Sequence, residues 1–170
     1  MLTENQEKYL RKIPEGGVIK IKPWDPEVKR AAEGLIAKIK SAEPGLGVLW
    51  MGASALGIAG QNDIDMYICS QAEDFWKHLA RLKEVLGEPV AGISIMKWEM
   101  DIDGFGVELY LTDPSTPSML EQIKVFEILK NDAVLLKEYE KIKLEANGVS
   151  FREYMRRKYK FFNRILSESD

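Results

Sequence analysis

Cysteine and histidine are almost missing from this chain of 170 residues, which contains one of each, Cys69 and His78. A single cysteine excludes an intramolecular disulfide and a zinc cluster built from cysteines. The sequence also lacks any apolar run of about eighteen residues, so no membrane span is predicted. Residues 1–12 lack the apolar core of a signal peptide. We therefore expect a cytoplasmic enzyme or binding protein without a membrane partner.

Basic residues are not in excess. The chain has 24 Lys and Arg against 27 Asp and Glu, which gives a formal net charge of −3. Proteins dedicated to nucleic-acid binding usually carry a basic surplus, so the composition argues against that class. Apolar residues make up 45% of the chain and charged residues 30%, as is typical of globular proteins. At this length we predict a single domain, residues 1–170, that buries a sizeable core.

Strands are predicted where short apolar runs alternate with polar residues or lie between turn residues. The predicted strands are residues 18–21, 48–51, 63–69, 93–101 and 105–112. The last two flank Ile102-Asp103-Gly104 and are predicted to form an antiparallel hairpin. Ile64, Met66 and Ile68 make the third strand mostly apolar, which indicates a central, buried strand. The sequence predicts a small mixed sheet within about residues 17–113.

Helices are predicted from capping residues and apolar periodicity. Asp25 and Pro26 have the form of a helix start. Ser70-Gln71-Ala72-Glu73 and Ser150-Phe151-Arg152-Glu153 have the form of a capping box. The last third of the chain, about residues 116–167, is predicted to be helical and to pack on the sheet. The predicted fold class is therefore α+β.

The strongest chemical signal is the pair Asp63 and Asp65 on the third predicted strand. Alternate residues of a strand share a face, so both carboxylates project the same way, about 7 Å apart at their backbones. Two such carboxylates repel each other unless a cation or hydrogen-bond donors neutralise them. Mg²⁺ prefers oxygen ligands and shares its coordination shell with substrate phosphates. Two such ions about 4 Å apart can hold the attacking and leaving oxygens of a nucleotidyl transfer. The pair therefore predicts a Mg²⁺ or Mn²⁺ site.

A glycine-serine turn, Gly52-Ala53-Ser54, precedes this strand. Gly52 would let backbone amides approach a phosphate closely, and Ser54 would add a hydroxyl donor. Each motif by itself is common in ordinary turns and strands. The order of strand, glycine-serine turn, short loop and D-x-D strand favours the functional interpretation.

That order is the signature of the nucleotidyltransferase superfamily, and the chain resembles its GrpB family. The resemblance spans about residues 17–166 and implies a nucleotidyltransferase fold. The similar segments are Lys22-Pro23-Trp24-Asp25-Pro26-Glu27, Gly52 to Ile58, Glu138-Tyr139 with Lys143, and Tyr154 with Lys158, Phe161-Phe162 and Ile165-Leu166.

The chain also departs from the family pattern. One acidic residue is usual on this strand, at the position of Asp65, and Asp63 adds a second. Relatives often carry His-x-His on a later strand, where this chain has Glu108-Leu109-Tyr110. Superfamily enzymes place a third carboxylate beside the D-x-D pair, and Glu108 is the candidate, as a general base or a metal ligand. The alternative is an outward-facing glutamate on a half-exposed strand.

Lys158 falls inside the apolar stripe of the last predicted helix. A lysine there either extends to the edge of the stripe or aims its ammonium into a cleft. The family match at Lys158 favours a role in neutralising substrate charge. Trp50, Trp76 and Trp98 are expected in the core. His78 has no acidic or cysteine partner at ligand spacing and is expected at the surface.

The leading hypothesis is a metal-dependent nucleotidyltransferase that uses a nucleoside triphosphate and an acceptor that the sequence does not identify. Asp63, Asp65 and Glu108 would form the catalytic and metal-binding set. Gly52, Ser54 and Lys158 would contact substrate phosphates. One alternative is a non-catalytic GrpB-like protein that binds a nucleotide or a phosphorylated metabolite. Another is an interaction protein similar to antitoxins of the minimal nucleotidyltransferase type.

Overall fold

The computed structural model describes residues 1–14, 16–90 and 96–169. The chain divides into two compact units, which we call the sheet unit and the helical unit. The sheet unit consists of Trp24–Gly57 and Asn62–Leu120. The helical unit consists of Met1–Pro23, Ile58–Gln61 and Glu121–Asp170. The single-domain interpretation of residues 1–170 stays a prediction.

A mixed β-sheet forms the centre of the sheet unit. Its strands, among the described residues, are β1 (Gly47–Met51), β2 (Ile64–Cys69), β3 (Met96–Ile102) and β4 (Phe105–Thr112). Their order in the sheet is β1-β2-β4-β3. The β2–β4 pair is parallel, and the β1–β2 and β3–β4 pairs are antiparallel. The predicted α+β class with a small mixed sheet is confirmed.

The predicted hairpin consists of β3 and β4. Asp103 and Gly104 form its turn with φ of 55° and 85°. Glycine and, to a lesser degree, aspartate adopt this left-handed conformation at low cost. The carboxylate of Asp101 accepts a hydrogen bond of 2.9 Å from the Gly104 amide and so secures the turn. Residues 93–95, at the start of the strand predicted at 93–101, lie outside the described residues.

One face of the sheet belongs to the hydrophobic core of this unit, together with residues of α2 (Glu27–Ala42) and α4 (Phe75–Leu86). The residues of β2 that enter this core are the fully buried Ile64, Met66 and Ile68. Full burial of each such side chain stabilises the fold by ~1.5–3 kcal/mol. Because side chains alternate along a strand, Asp65 and Tyr67 project from the opposite face, where they are half-buried. The core thus fixes the face from which the acidic residue points.

The predicted start of α2 is confirmed to within one residue. The helix begins at Glu27, and the Glu27 amide donates to the carboxylate of Asp25 at 3.0 Å. The predicted capping box at Ser70 does not form, because the Ser70 amide donates to the carbonyl oxygen of Thr112 and continues the pairing of β2 with β4. A short 3₁₀ turn therefore precedes α4, which begins at Phe75.

Two side chains of α4 differ from expectation. Trp76, expected in the core, is 69% exposed, whereas Trp98 is buried as predicted. His78 lies with its Nδ1 atom 3.3 Å from a carboxylate oxygen of Glu43, which follows α2. His78 is half-buried rather than at the surface, and its acidic partner is far from it in sequence, so no local spacing reveals the pair.

The helical unit contains α1 (Glu4–Lys12), α6 (Ala133–Glu145), α7 (Phe151–Ser167) and most of α5 (Pro117–Asn131). One cluster of its described core consists of Leu10, Ile13, Ile19, Ala146, Tyr154 and Met155. Among the helices of the described ranges, none combines the length and the apolar character that a membrane crossing requires.

Local capping explains most helix boundaries in this unit. Asp132 caps α6, and the Ser150 hydroxyl accepts from the Glu153 amide at 3.1 Å at the start of α7. The sequence analysis does not predict α1, although Thr3 and Gln6 form a capping box there. The strand predicted at 18–21 is wrong. Backbone pairing in that segment and beside it is limited to isolated bridges, Val18 with Ser150 and Lys22 with Gly60.

Candidate functional site

The turn after β1 places Gly52 against Asp65. The chain leaves β1 at Met51 and passes through Gly52 into a short helix, α3 (Gly52–Leu56). Gly52 has φ of 81°, in the left-handed region that disfavours side chains. A Cβ at this position would overlap the carboxylate of Asp65, with the Asp65 Cγ only 3.2 Å away. Both the backbone angle and the contact therefore require glycine here.

Strand register places three carboxylates in a row. Asp65 of β2 pairs with Glu108 of β4, and Glu108 pairs with Glu99 of β3. Directly paired residues project from the same face of a sheet, and like charges in such pairs are unfavourable. The structure therefore brings two of the predicted acidic residues, Asp65 and Glu108, side by side.

Lys97 supplies the cation for this row. Its Nζ atom lies 2.5 Å from an oxygen of Glu99 and 3.0 Å from Oε1 of Glu108. The other oxygen of Glu108 accepts a 2.9 Å hydrogen bond from the hydroxyl of Tyr110. Burial lowers the pKa of Lys97, but the hydrogen bonds to the two carboxylates outweigh it, and the pKa is raised. Lys97 is therefore firmly protonated.

Two tyrosines lie next to the acidic row. Tyr67 and Tyr110 stack with ring centroids 5.5 Å apart and an interplanar angle of 16°. Burial raises the pKa of Tyr67, and the carboxylate of Asp65 raises it further. Burial and the hydrogen bond to Glu108 raise the pKa of Tyr110 to about 12. Both hydroxyls therefore keep their protons near neutral pH and can act as hydrogen-bond donors.

Asp63 immediately precedes β2, which begins one residue later than predicted. Asn62, just before it, has φ of 59° and turns the chain into the strand. Asp63 is half-buried, as Asp65 and Tyr67 are. The register places the start of β2 beside Glu108 near the start of β4 and beside the end of β1. Asp63, Asp65, Glu108 and the Gly52 turn thus share one end of the sheet.

No group of three His, Cys, Asp or Glu side chains that could hold a metal ion occurs in the described part of the chain. Within the row of Asp65, Glu108 and Glu99, the cation beside the last two residues is the Lys97 ammonium. The start of β2 therefore offers two candidate metal-binding carboxylates, Asp63 and Asp65.

Two tryptophans hold the Gly52 turn. The Trp50 indole donates to the hydroxyl of Ser54 at 3.2 Å, and the Trp24 indole donates to the Ser54 carbonyl oxygen at 3.0 Å. Ser54 is 3% exposed. Its hydroxyl still has its own proton to donate after accepting from Trp50. Ser54 is thus part of the internal structure of the turn, a role that the G-x-S spacing does not reveal.

Lys158 belongs to the helical unit. Its ammonium lies 5.4 Å from the ring centroid of Phe162, a cation–π contact within α7. Another lysine of this unit, Lys143, is 5% exposed and donates to the hydroxyl of Tyr154 at 2.7 Å. The sequence analysis quotes Lys143 only as part of the family resemblance.

The sequence analysis misses Lys97, which neutralises the candidate third acid. The signal for it is the alternation in β3, where Lys97 and Glu99 are separated by the buried Trp98. With the register of the hairpin, this alternation places Lys97 opposite Tyr110 and diagonal to Glu108. The type and length of the turn fix that register, and the predicted loop, Ile102-Asp103-Gly104, is one residue longer than the observed one because Ile102 pairs with Phe105.

Comparisons with known proteins agree on the fold. The family model described as GrpB protein matches residues 18–168. The crystal structure of the conserved protein GrpB from Enterococcus faecalis is similar, with a TM-score of 0.65 and 16% identity over 88% of this chain and 98% of that chain. At this identity the likeness shows the fold alone.

A weaker likeness is to the MgGTP-bound Cid1 poly(U) polymerase, with a TM-score of 0.49 and 17% identity over 81% of this chain and 47% of that chain. That match carries no argument here. Among curated protein sequences, none matches this chain.

Proposed function

Because the chain belongs to the GrpB family, whose fold is nucleotidyltransferase-like, we propose that it is a metal-dependent nucleotidyltransferase. It would transfer a nucleotidyl group from a nucleoside triphosphate to an acceptor that the site does not identify. The observation that carries the proposal is the contact between the Asp65 carboxylate and the Gly52 turn, with Glu108 in register beside Asp65. The turn and the acidic strand, the two motifs of the superfamily signature, thus meet in the sheet unit.

The donor set at this end of the sheet fits Mg²⁺ or Mn²⁺. Asp63 and Asp65 offer carboxylate oxygens, which these ions prefer. Mg²⁺ is commonly bound through one or two carboxylates, with water and substrate phosphates in its remaining positions. Asp63 and Asp65 would hold the ion. When bound, it would neutralise phosphate charge and help to orient the reacting phosphorus for in-line displacement.

The other candidate residues would bind and orient the substrate. Gly52 would let the turn backbone approach the triphosphate, and the Ser54 hydroxyl would donate its remaining proton to it. The role of Lys158, in the helical unit, stays a prediction from the family match. Glu108, oriented by Lys97 and Tyr110, would accept the proton of the acceptor hydroxyl.

Thermal-shift measurements test the proposal. We expect nucleoside triphosphates to raise the Tm only when Mg²⁺ or Mn²⁺ is present, by mass action on the folded state. Asp65→Asn should abolish that rise without loss of folding. Asp103→Asn is the matched control, because Asp103 lies in the hairpin turn with φ of 55°, which asparagine also tolerates. Equal responses of the two variants would remove the basis of the proposal.

A second candidate is a protein that binds a nucleotide or a phosphorylated metabolite without turnover. The hydrogen bonds from Lys97 and Tyr110 favour it, because they hold the Glu108 carboxylate toward its neighbours in the sheet and a general base must reach the acceptor hydroxyl. This candidate predicts binding without pyrophosphate release. It also predicts that Asp63→Asn changes ligand affinity little, whereas the nucleotidyltransferase needs Asp63.

A further inference from the structure

Lys97 is more deeply enclosed than the carboxylates that it pairs with. Its side chain is 19% exposed, against 46% for Glu108 and 55% for Glu99. Surface ion pairs usually have the opposite arrangement, with a long lysine side chain extended into water. The ammonium is therefore an internal component of the acidic row.

The position of Lys97 follows from the sheet. Lys97 pairs directly with Tyr110 on β4, and its ammonium lies 5.4 Å from the centroid of that ring. From there it reaches diagonally to Glu108 in the neighbouring row, as long side chains can across strands. Tyr110 meanwhile holds the second oxygen of Glu108. Both oxygens of the candidate third acid are thus occupied by groups of the protein.

A divalent ion at Glu108 would compete with these groups for the carboxylate oxygens. It would place two positive charges beside the Lys97 ammonium, and like charges at such range repel. The Lys97 ammonium contacts Glu108 and Glu99, so this repulsion acts at these two carboxylates.

We propose that Lys97 takes the place of a divalent ion at Glu108, so that the protein binds one metal ion, at Asp63 and Asp65, and excludes a second. This inference rests on the proposed function, because it assumes that Asp63 and Asp65 bind a metal. It makes Lys97 a positioning residue that sets how many metal ions the site binds.

Titration of the purified full-length protein with MnCl₂, in the absence of nucleotide, tests this. Isothermal titration calorimetry would give the number of bound Mn²⁺ ions and their affinities for the wild type, Lys97→Met and Lys97→Arg. Lys83→Met is the matched control, because it removes another ion-paired lysine of the same unit, 2.7 Å from Glu88. All variants are checked for folding by circular dichroism.

We expect one Mn²⁺ ion in the wild type, Lys97→Arg and Lys83→Met. In Lys97→Met we expect either a second bound Mn²⁺ ion or an about tenfold lower Kd for Mn²⁺. A tenfold change in Kd is within the range of coupling energies between contacting residues. If the wild type binds Mn²⁺ and Lys97→Met binds it no better, the inference is overturned and the proposed function stands. If only Lys97→Met binds Mn²⁺, the wild type has no metal at Asp63 and Asp65, and both the inference and the proposed function fail. If no variant binds Mn²⁺, both fail.

Glu108→Gln provides a second test that does not depend on the folding of Lys97→Met. Glutamine keeps an acceptor for Lys97 and removes the charge that a metal would need. Unchanged Mn²⁺ binding in Glu108→Gln supports the inference, and loss of binding overturns it because Glu108 would then be a ligand in the wild type. In the double variant that combines Lys97→Met with Glu108→Gln, the additional Mn²⁺ binding caused by Lys97→Met should disappear.

Discussion

The carboxylate of Asp65 lies against the backbone of Gly52, in the space where any other residue would carry its Cβ. The two residues belong to different elements, the turn after β1 and the strand β2, and the antiparallel register of these strands brings them together. The backbone angle of Gly52 and the position of the candidate metal ligand therefore depend on each other. A change at Gly52 should affect both the stability of the turn and the acidic site.

We predict that Gly52→Ala destabilises the protein and abolishes metal-dependent nucleotide binding. The left-handed conformation costs a non-glycine residue about 1–2 kcal/mol, and the added Cβ would displace the Asp65 carboxylate. Urea unfolding measures the first effect, and thermal shift with nucleotide and Mn²⁺ measures the second.

Gly57→Ala is the control for this prediction. Gly57 has φ of 70°, so alanine is similarly strained there, but a Cβ would meet only a Trp24 ring atom at 4.0 Å. It should lose stability yet keep nucleotide binding. If both variants bind nucleotide equally, the Gly52–Asp65 contact has no functional consequence.

Ser54→Ala and Trp50→Phe should separate the structural role of Ser54 from its proposed phosphate contact. Each variant removes the hydrogen bond between the Trp50 indole and the Ser54 hydroxyl, so each should lose about 1–3 kcal/mol of stability in urea unfolding. Only Ser54→Ala removes the hydroxyl that would donate to a phosphate. We expect nucleoside triphosphates to stabilise Trp50→Phe more than Ser54→Ala. An equal response would limit Ser54 to its role inside the turn.

Stability should fall at high pH because of Tyr110. Its pKa is raised from 10.0 to about 12 by burial and by the hydrogen bond to Glu108. The unfolded chain therefore loses this proton before the folded protein does, and the stabilisation that is complete below about pH 10 declines as the pH rises toward 12. Urea unfolding at a series of pH values should show a shallower decline for Tyr110→Phe. If the decline in stability with pH is unchanged in Tyr110→Phe, other titratable groups cause it.

Local signals predicted the parts of the fold that depend on neighbours in sequence. The hairpin turn at Asp103 and Gly104 needs positive φ, and the α7 start at Ser150 needs a side-chain cap, so both could be identified from residue type. The Ser70 capping box was predicted by the same reasoning and is wrong, since the Ser70 amide donates to Thr112. A distant strand supplies that acceptor, and residue type near Ser70 carries no information about it.

The sequence by itself determined that Asp65 stands opposite the apolar face of its strand, because alternation places Ile64 and Met66 in the core. It also identified Gly52 as a glycine that would let the turn backbone approach a phosphate. Tertiary structure alone decided which strand lies beside β2, and hence that Glu108 is next to Asp65. Strand order and register arise from packing between segments far apart in the chain, so the charge balance of the site is settled only when the sheet is assembled.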